Sequence, residues 1–335
     1  AATIAGDVSK SIDESDSALS LSMTGTLTAT DVDNADNTFT ATADGGIVGD
    51  LGTFTIDAGG VWTFTANSAF NELAAGTSLT EDFTVTSVDT TSATVTITIN
   101  GTNDTPTITS NAQTGSLTED SSITQASGQV QASDAEGSAL NYTIDGTDAV
   151  AGVTTVAGTY GSITLNQSTG NWTYTLDSTK AATQALGKDA TPTETFTVKA
   201  SDGTATVTQD IVVTVNGAND AAIITATDST IAEGAATVTG TATHTDVDAN
   251  NTDDVFTVAT NVASTYGTYS VDVAGAWTYT LDNTNTTVDA LNTTSTALTD
   301  TITVTAEDGT TQDISIEITG TNDAATVSSV DEALT

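Results

Sequence analysis

Three tryptophans, Trp62, Trp172 and Trp277, stand 110 and 105 residues apart in strands of closely similar sequence. A repeat of that length restricts the chain to an array of like units. The strands read Trp62-Thr63-Phe64-Thr65, Trp172-Thr173-Tyr174-Thr175-Leu176 and Trp277-Thr278-Tyr279-Thr280-Leu281. A glycine-led strand precedes each one: Gly52-Thr53-Phe54-Thr55-Ile56, Gly161-Ser162-Ile163-Thr164-Leu165 and Gly267-Thr268-Tyr269-Ser270-Val271. The short Asp/Asn and Gly segments between them read as hairpin loops. After the tryptophan strand come segments such as Phe70 to Ala75 and Ala181 to Leu186, long enough for a turn or two of helix only. Two alternating strands close each unit, the first running Phe83 to Asp89, Phe196 to Asp202 and Ile302 to Asp308. The second places Val95, Ile97 and Ile99, then Ile211, Val213 and Val215, then Ile314, Ile316 and Ile318 on one face.

Apolar residues at every second position, with Thr, Ser or charge between them, describe sheets packed on one side and wet on the other. About seven such strands per unit make an Ig-like or cadherin-like β-sandwich the economical fold. The expected architecture is all-β: a tandem array of three Ig-like/cadherin-like β-sandwich domains with short helical turns. The expected divisions are residues 1–104, 105–220 and 221–323. Residues 324–335 are then the start of a truncated fourth repeat or a donor strand, because Ala324-Ala325-Thr326-Val327 copies Ala1-Ala2-Thr3-Ile4 and Val330-Asp331-Glu332 parallels Ile12-Asp13-Glu14. On this reading the chain is an in-phase slice of a longer array, with any secretion signal outside it.

Charge narrows the partners. Four lysines and no arginine face 44 Asp and Glu residues, a formal net charge of −40. Nucleic acid and anionic membrane surfaces are bound through clustered Lys and Arg, so both are excluded as expected partners. No apolar run approaches the ~18 residues of a membrane span, so no membrane insertion is expected. Without cysteine there is no disulfide, thiolate nucleophile or Cys-ligated metal. A compact polyanion of this kind repels itself unless cations relieve the strain.

Acidic residues recur at fixed places. A Glu follows the first strand as Glu14, Glu119, Glu233 and Glu332; a pair follows the next as Asp31/Asp33, Asp134/Glu136 and Asp246/Asp248. An Asp closes the penultimate strand as Asp89, Asp202 and Asp308, and Asn103-Asp104, Asn219-Asp220 and Asn322-Asp323 end the units. Hard cations such as Ca²⁺ take six to eight oxygens from such groups, and the junction between units is where distant parts of the chain can meet around one ion.

With these residues in place, the chain resembles the VCBS-type and cadherin-like repeats of large, calcium-dependent (RTX-type) bacterial surface adhesins. Gly-Thr-Asn-Asp at 101–104 and 320–323, Gly-Ala-Asn-Asp at 217–220 and the Gly-x-Trp-x-Tyr strand carry the likeness. By position, the resemblance implies a first junction of Glu14, Asn103 and Asp104 with Asp134, Glu136 and Asp202. It implies a second of Glu119, Asn219 and Asp220 with Asp246, Asp248 and Asp308, both binding Ca²⁺. Asp31, Asp33 and Asp89 would face a preceding unit, and Glu233, Asn322 and Asp323 a following one. Gly101, Gly217 and Gly320 replace the leading Asp of the cadherin linker, and no Leu-Asp-Arg-Glu segment exists. Glu81, Glu194 and Asp300 recur but sit too close to the following Asp to substitute for it. Fewer ions per junction than in a cadherin are therefore expected.

Enzyme chemistry finds little support, since the lone His244 occurs in one unit only and no acidic pair gathers in an aromatic cleft. The tryptophans read as core, and the Thr-x-Thr rows as the wet sheet face. The expected function is a calcium-stiffened spacer of a secreted or cell-surface bacterial adhesin, its partners being neighbouring repeats or identical subunits. The alternatives are a filament or matrix subunit joined end to end by strand donation, and, less favoured, a carbohydrate-binding module.

Overall fold

The β-branched residues that fill the alternating segments favour pleated, half-buried backbone. A computed structural model of the chain, which describes residues 1–15, 21–33, 37–147, 152–249 and 255–325, places them in paired sheets. In the first unit the strands are β1 (Thr3–Gly6), β2 (Ser9–Asp13), β3 (Ser22–Thr30), β4 (Ile47–Val48), β5 (Gly52–Ile56), β6 (Val61–Ala66), β7 (Ser78–Thr86) and β8 (Ser92–Asn100). One sheet runs β1-β3-β6-β5-β4 and the other β2-β8-β7. The pairing is antiparallel except for β2, which lies parallel to β8 with Ser9 opposite Thr96 and Asp13 opposite Asn100. Gly6 lets the chain leave one sheet for the other: its φ is 121°, and a Cβ there would lie 2.4 Å from the Thr26 carbonyl oxygen.

The second and third units repeat the plan. Gln113–Thr118 pairs parallel with Thr206–Asn216, as Ser229–Ala232 does with Thr311–Thr319. The tryptophan hairpins are Gly161–Asn166 with Asn171–Leu176 and Gly267–Val271 with Ala276–Leu281. The expected helical turn appears in the second unit as α1 (Ala181–Gln184) and as hydrogen-bonded turns near Leu73 and Leu291 in the others.

Each unit has its own hydrophobic core. Trp62, Trp172 and Trp277 are buried at its centre, and in the first unit Phe54 stacks on Trp62 and Phe83 with ring centroids 5.5 and 4.9 Å away. Truncating one of these tryptophans removes the largest apolar side chain of a unit, a loss of about 3–5 kcal/mol. A glycine faces each indole across the sheet, Gly25 opposite Trp62, Gly128 opposite Trp172 and Gly240 opposite Trp277. A Cβ at these positions would sit 2.3, 2.7 and 2.3 Å from the ring.

Glu81, Glu194 and Asp300 do a different job from the junction acids. Glu81 accepts the Leu51 and Asp50 N–H groups. Glu194 accepts the N–H groups of Thr159 and Tyr160 and the Tyr174 hydroxyl. Asp300 accepts those of Thr265 and Tyr266 with the Ser264 and Tyr279 hydroxyls. Each pins the loop that leads into the tryptophan hairpin. The expected fourth opening strand, with Asp331 and Glu332, lies from residue 326 onward outside the described residues. Among the described residues no helix is long and apolar enough to cross a membrane.

Candidate metal centres

The first junction is assembled by the end of β2 and the linker. The Glu14 N–H donates to the Asn100 carbonyl over 2.9 Å, which holds the side chain beside the departing chain. One carboxylate oxygen, Oε1, accepts the Thr102 N–H at 2.6 Å. The other, Oε2, is buried and has no hydrogen-bond partner, although only 7% of the residue is exposed. Asn103 donates its side-chain amide to the Asp104 carbonyl at 2.6 Å and to Asp202 Oδ2 at 3.0 Å. The Asp104 N–H donates to Glu136 Oε1 at 2.8 Å. The N–H groups of Thr204 and Ala205, followed by the Asn103 amide, hold the Asp202 carboxyl below the usual range. Asp134 Oδ2, Glu136 Oε2 and Asn71 Oδ1 are also buried without partners. Asn71, Asp104, Ser133 and Asp134 line a crevice of about 280 Å³ between the units.

The second junction has the same plan with different partners. The Glu119 N–H donates to the Asn216 carbonyl at 2.9 Å, its carboxylate is held by the Ala218 backbone, and Gln184 Nε2 donates to Glu119 Oε1 at 3.1 Å. Glu119 is 2% exposed and its Oε2 has no partner. Burial pushes this carboxyl up to about 7, helped by the charges of Asp220, Asp120 and Asp248. Burial and the same acidic neighbours, Asp120 foremost, raise Asp220. The Asp220 N–H donates to Asp248 Oδ2 at 3.1 Å and the Asp248 N–H to Asp246 Oδ1 at 2.9 Å. Asn219 donates to the Asp220 carbonyl at 2.6 Å. Asp308 accepts the Ala222 N–H at 2.9 Å; burial opposes its charge, but that bond, Thr310 and the half-buried His244 keep its carboxyl low. The His244 ring stands edge-on to Phe256 at 5.0 Å. The Ala249 N–H reaches the Ala185 carbonyl at 3.0 Å, so the two units touch through backbone as well.

All twelve residues singled out from the sequence therefore lie at the two junctions. Hydrogen bonds tie Asp202 to Asn103, whereas Asp308 is tied to Ala222 instead of Asn219. Asn71, Gln184 and Asp120 escaped the sequence reading. The first two are uncharged and Asp120 belongs to one unit only. A fixed offset could have found the first two, because each stands two residues before a leucine, Leu73 or Leu186, that ends the loop. At the far end of the third unit, Glu233, Asp289 and Asp323 bring one carboxylate oxygen each within 4.8 Å of one another. Buried oxygens without donors cost a few kcal/mol each unless something positive meets them. An all-oxygen donor set of carboxylates and amides suits a hard divalent cation such as Ca²⁺.

Sandwich units in tandem, with carboxylates gathered where one unit meets the next, define a class of multidomain β-proteins. The model of the bacterial cadherin-like domain matches residues 1–101 and again 103–217, so the chain belongs to that family. The chain is similar to solved cadherin ectodomains. Drosophila N-cadherin EC1-4 is 13% identical with a TM-score of 0.43, over 94% of this chain and 73% of that one. Mouse cadherin-23 EC22-24 is 13% identical with a TM-score of 0.45, over 93% and 95%. Protocadherin gamma B2 domains 1-5 are 16% identical with a TM-score of 0.47, and the chain spans 59% of that structure. No curated protein matches the sequence.

Proposed function

We propose that the chain is a spacer of an extracellular bacterial adhesin of the VCBS type, built of units 1–104, 105–220 and 221–323 and stiffened by Ca²⁺ at the junctions. Buried, donorless carboxylate oxygens carry this reading: Glu14 with Asp134 and Glu136 on either side of the first linker, and Glu119 beside the second linker with Asp220 within it. The residues expected to hold the ion are Glu14, Asn103, Asp104, Asp134, Glu136 and Asp202, then Glu119, Asn219, Asp220, Asp246, Asp248 and Asp308. A bound divalent cation supplies the positive charge that these oxygens lack. Without it, acids on adjoining units repel and the short linkers, 101–104 and 217–220, are free to bend. With it, both units hold one charge and the angle between them is set. Cation binding to the folded state alone also stabilises each unit by mass action.

Small-angle X-ray scattering of the chain at several concentrations, in millimolar calcium and then in excess chelator, tests the proposal. The expected result is a long, narrow monomer whose interdomain distances broaden on chelation. A profile indifferent to calcium removes the role of the junctions. Growth of the particle with concentration moves end-to-end polymerisation ahead of the spacer reading.

A further inference from the structure

The Asn-Gly pairs of the chain, Asn100-Gly101 and Asn216-Gly217, occupy one and the same place in their units, the last residue of the closing strand and the first of the linker. Asn100 ends β8 opposite Asp13, and Asn216 ends the strand Thr206–Asn216 opposite Thr118. The third unit keeps the glycine without the amide, as Thr319-Gly320. Space demands the glycine. A Cβ on Gly101 would lie 2.2 and 2.3 Å from the carbonyl oxygens of Leu73 and Ala74, and one on Gly217 at the same distances from those of Leu186 and Gly187. An asparagine followed by a residue with no side chain is also the pair in which the next amide nitrogen reaches the asparagine Cγ with least obstruction.

In the folded chain the reacting groups are engaged elsewhere. The Gly101 N–H donates to the Thr77 carbonyl at 3.0 Å and the Gly217 N–H to the Ala190 carbonyl at 2.9 Å. The Asn100 amide donates to Asp13 Oδ1 at 3.0 Å. The Asn216 amide donates to Ser116 Oγ and to the Leu117 carbonyl, each at 3.0 Å. These bonds fasten the closing strand to the opening strand, and the linker to the segment before the penultimate strand.

We propose that Asn100 and Asn216 are sites of spontaneous deamidation, protected while the strand ends are seated and reactive when they let go. The freed glycine nitrogen attacks the asparagine Cγ. The N–Cγ bond forms, the Cγ–Nδ2 bond breaks, and ammonia leaves with the proton that the glycine nitrogen gives up. Water then opens the cyclic imide at either carbonyl, leaving aspartate or isoaspartate, and no other reactant is needed. Either product unfastens the unit at its linker end. Aspartate at position 100 sets a second carboxylate against Asp13, and aspartate at position 216 withdraws the N–H that the Leu117 carbonyl accepts. Isoaspartate also adds a methylene to the main chain, where the carbonyls packed on Gly101 and Gly217 leave no room for it. The change is one-way, and Thr319 exempts the third unit.

Peptide mapping by mass spectrometry, on the full chain incubated folded or in denaturant at mildly alkaline pH, reads the amide-to-acid mass gain at each asparagine. In denaturant, Asn100 and Asn216 are expected to convert before the other asparagines. In the folded chain they should convert at least about tenfold more slowly, because only the locally opened fraction reacts. Folded chain that has converted, separated by its added negative charge, should be cut faster by protease within residues 101–104 and 217–220 than fresh chain. The double variant Asn100→Thr/Asn216→Thr, with the third unit's residue at both places, should keep its fresh cleavage rate through the same incubation, and its melt before incubation shows that it folds. Equal conversion rates in the folded and unfolded chain, or other asparagines converting first in denaturant, overturn the proposal. Conversion that leaves linker cleavage unchanged overturns the unfastening.

Discussion

Replacing Glu119 by glutamine is expected to stabilise the cation-free protein at pH 8 and to change little at pH 5. The folded environment raises this carboxyl from 4.5 to about 7, so across that interval the folded chain keeps a proton that the unfolded chain has released. Stability from this group is complete below about pH 4.5 and is lost as pH rises through about 7. At ~1.36 kcal/mol per pH unit the penalty at pH 8 approaches roughly 3 kcal/mol. Glutamine keeps an oxygen for Gln184 and Ala218 and removes the charge that Asp220 and Asp248 oppose. A gain of about 2 kcal/mol corresponds to roughly 10 °C in the melting temperature of one unit. Thermal melts in chelator at pH 5 and pH 8 read it directly. In millimolar calcium the sign should invert, because the variant has lost a charged ligand and with it part of the mass-action stabilisation. A variant less stable than the wild type in chelator at pH 8, or one that keeps the wild-type slope between pH 5 and 8, refutes the reasoning.

Further outcomes follow from packing and from the loop-pinning acids. Gly25→Ala forces a methyl group to within 2.3 Å of the Trp62 ring, and should cost about 1–3 kcal/mol in denaturant unfolding followed by tryptophan fluorescence. Tyr174→Phe leaves Glu194 Oε2 without its hydroxyl donor, whereas Tyr279→Phe leaves Asp300 Oδ2 with Ser264 and Tyr266. The first should therefore lose about 1–3 kcal/mol and the second measurably less, in the same assay. Limited proteolysis should cut within residues 101–104 and 217–220 in chelator and slow there in calcium, and Asp134→Asn should abolish that protection at the first site only.

Much of this architecture was legible in the alternation of apolar residues around Trp62, Trp172 and Trp277, because a strand with one wet face leaves a period of two in the sequence. Direction is not written in that period. Nothing in Ser9 to Asp13 shows that β2 runs parallel to β8, since a parallel and an antiparallel neighbour ask for the same pattern of side chains. The glycines opposite the indoles were likewise hidden, as cross-strand pairs depend on register. At the junctions, charge that recurs is easy to read and oxygen that recurs is not. Asn71 and Gln184 are invisible to a search for acids, yet Asp289 at the matching position is what gathers three carboxylates at the end of the third unit. Glu81, Glu194 and Asp300 show the converse: recurrent acids whose oxygens are consumed by loop N–H groups.

The parallel pairing of β2 with β8 governs how a unit meets a pulling force. The chain enters a unit close to β2 and leaves it from β8, so tension along the array drags these two strands in opposite directions along their common axis. Every rung from Ser9–Thr96 to Asp13–Asn100 is then sheared at once, whereas an antiparallel pair pulled at one end would peel open rung by rung. The same clamp recurs between Gln113–Thr118 and Thr206–Asn216 and between Ser229–Ala232 and Thr311–Thr319. An end-to-end pull on any unit therefore meets a whole ladder of hydrogen bonds together, not one rung at a time.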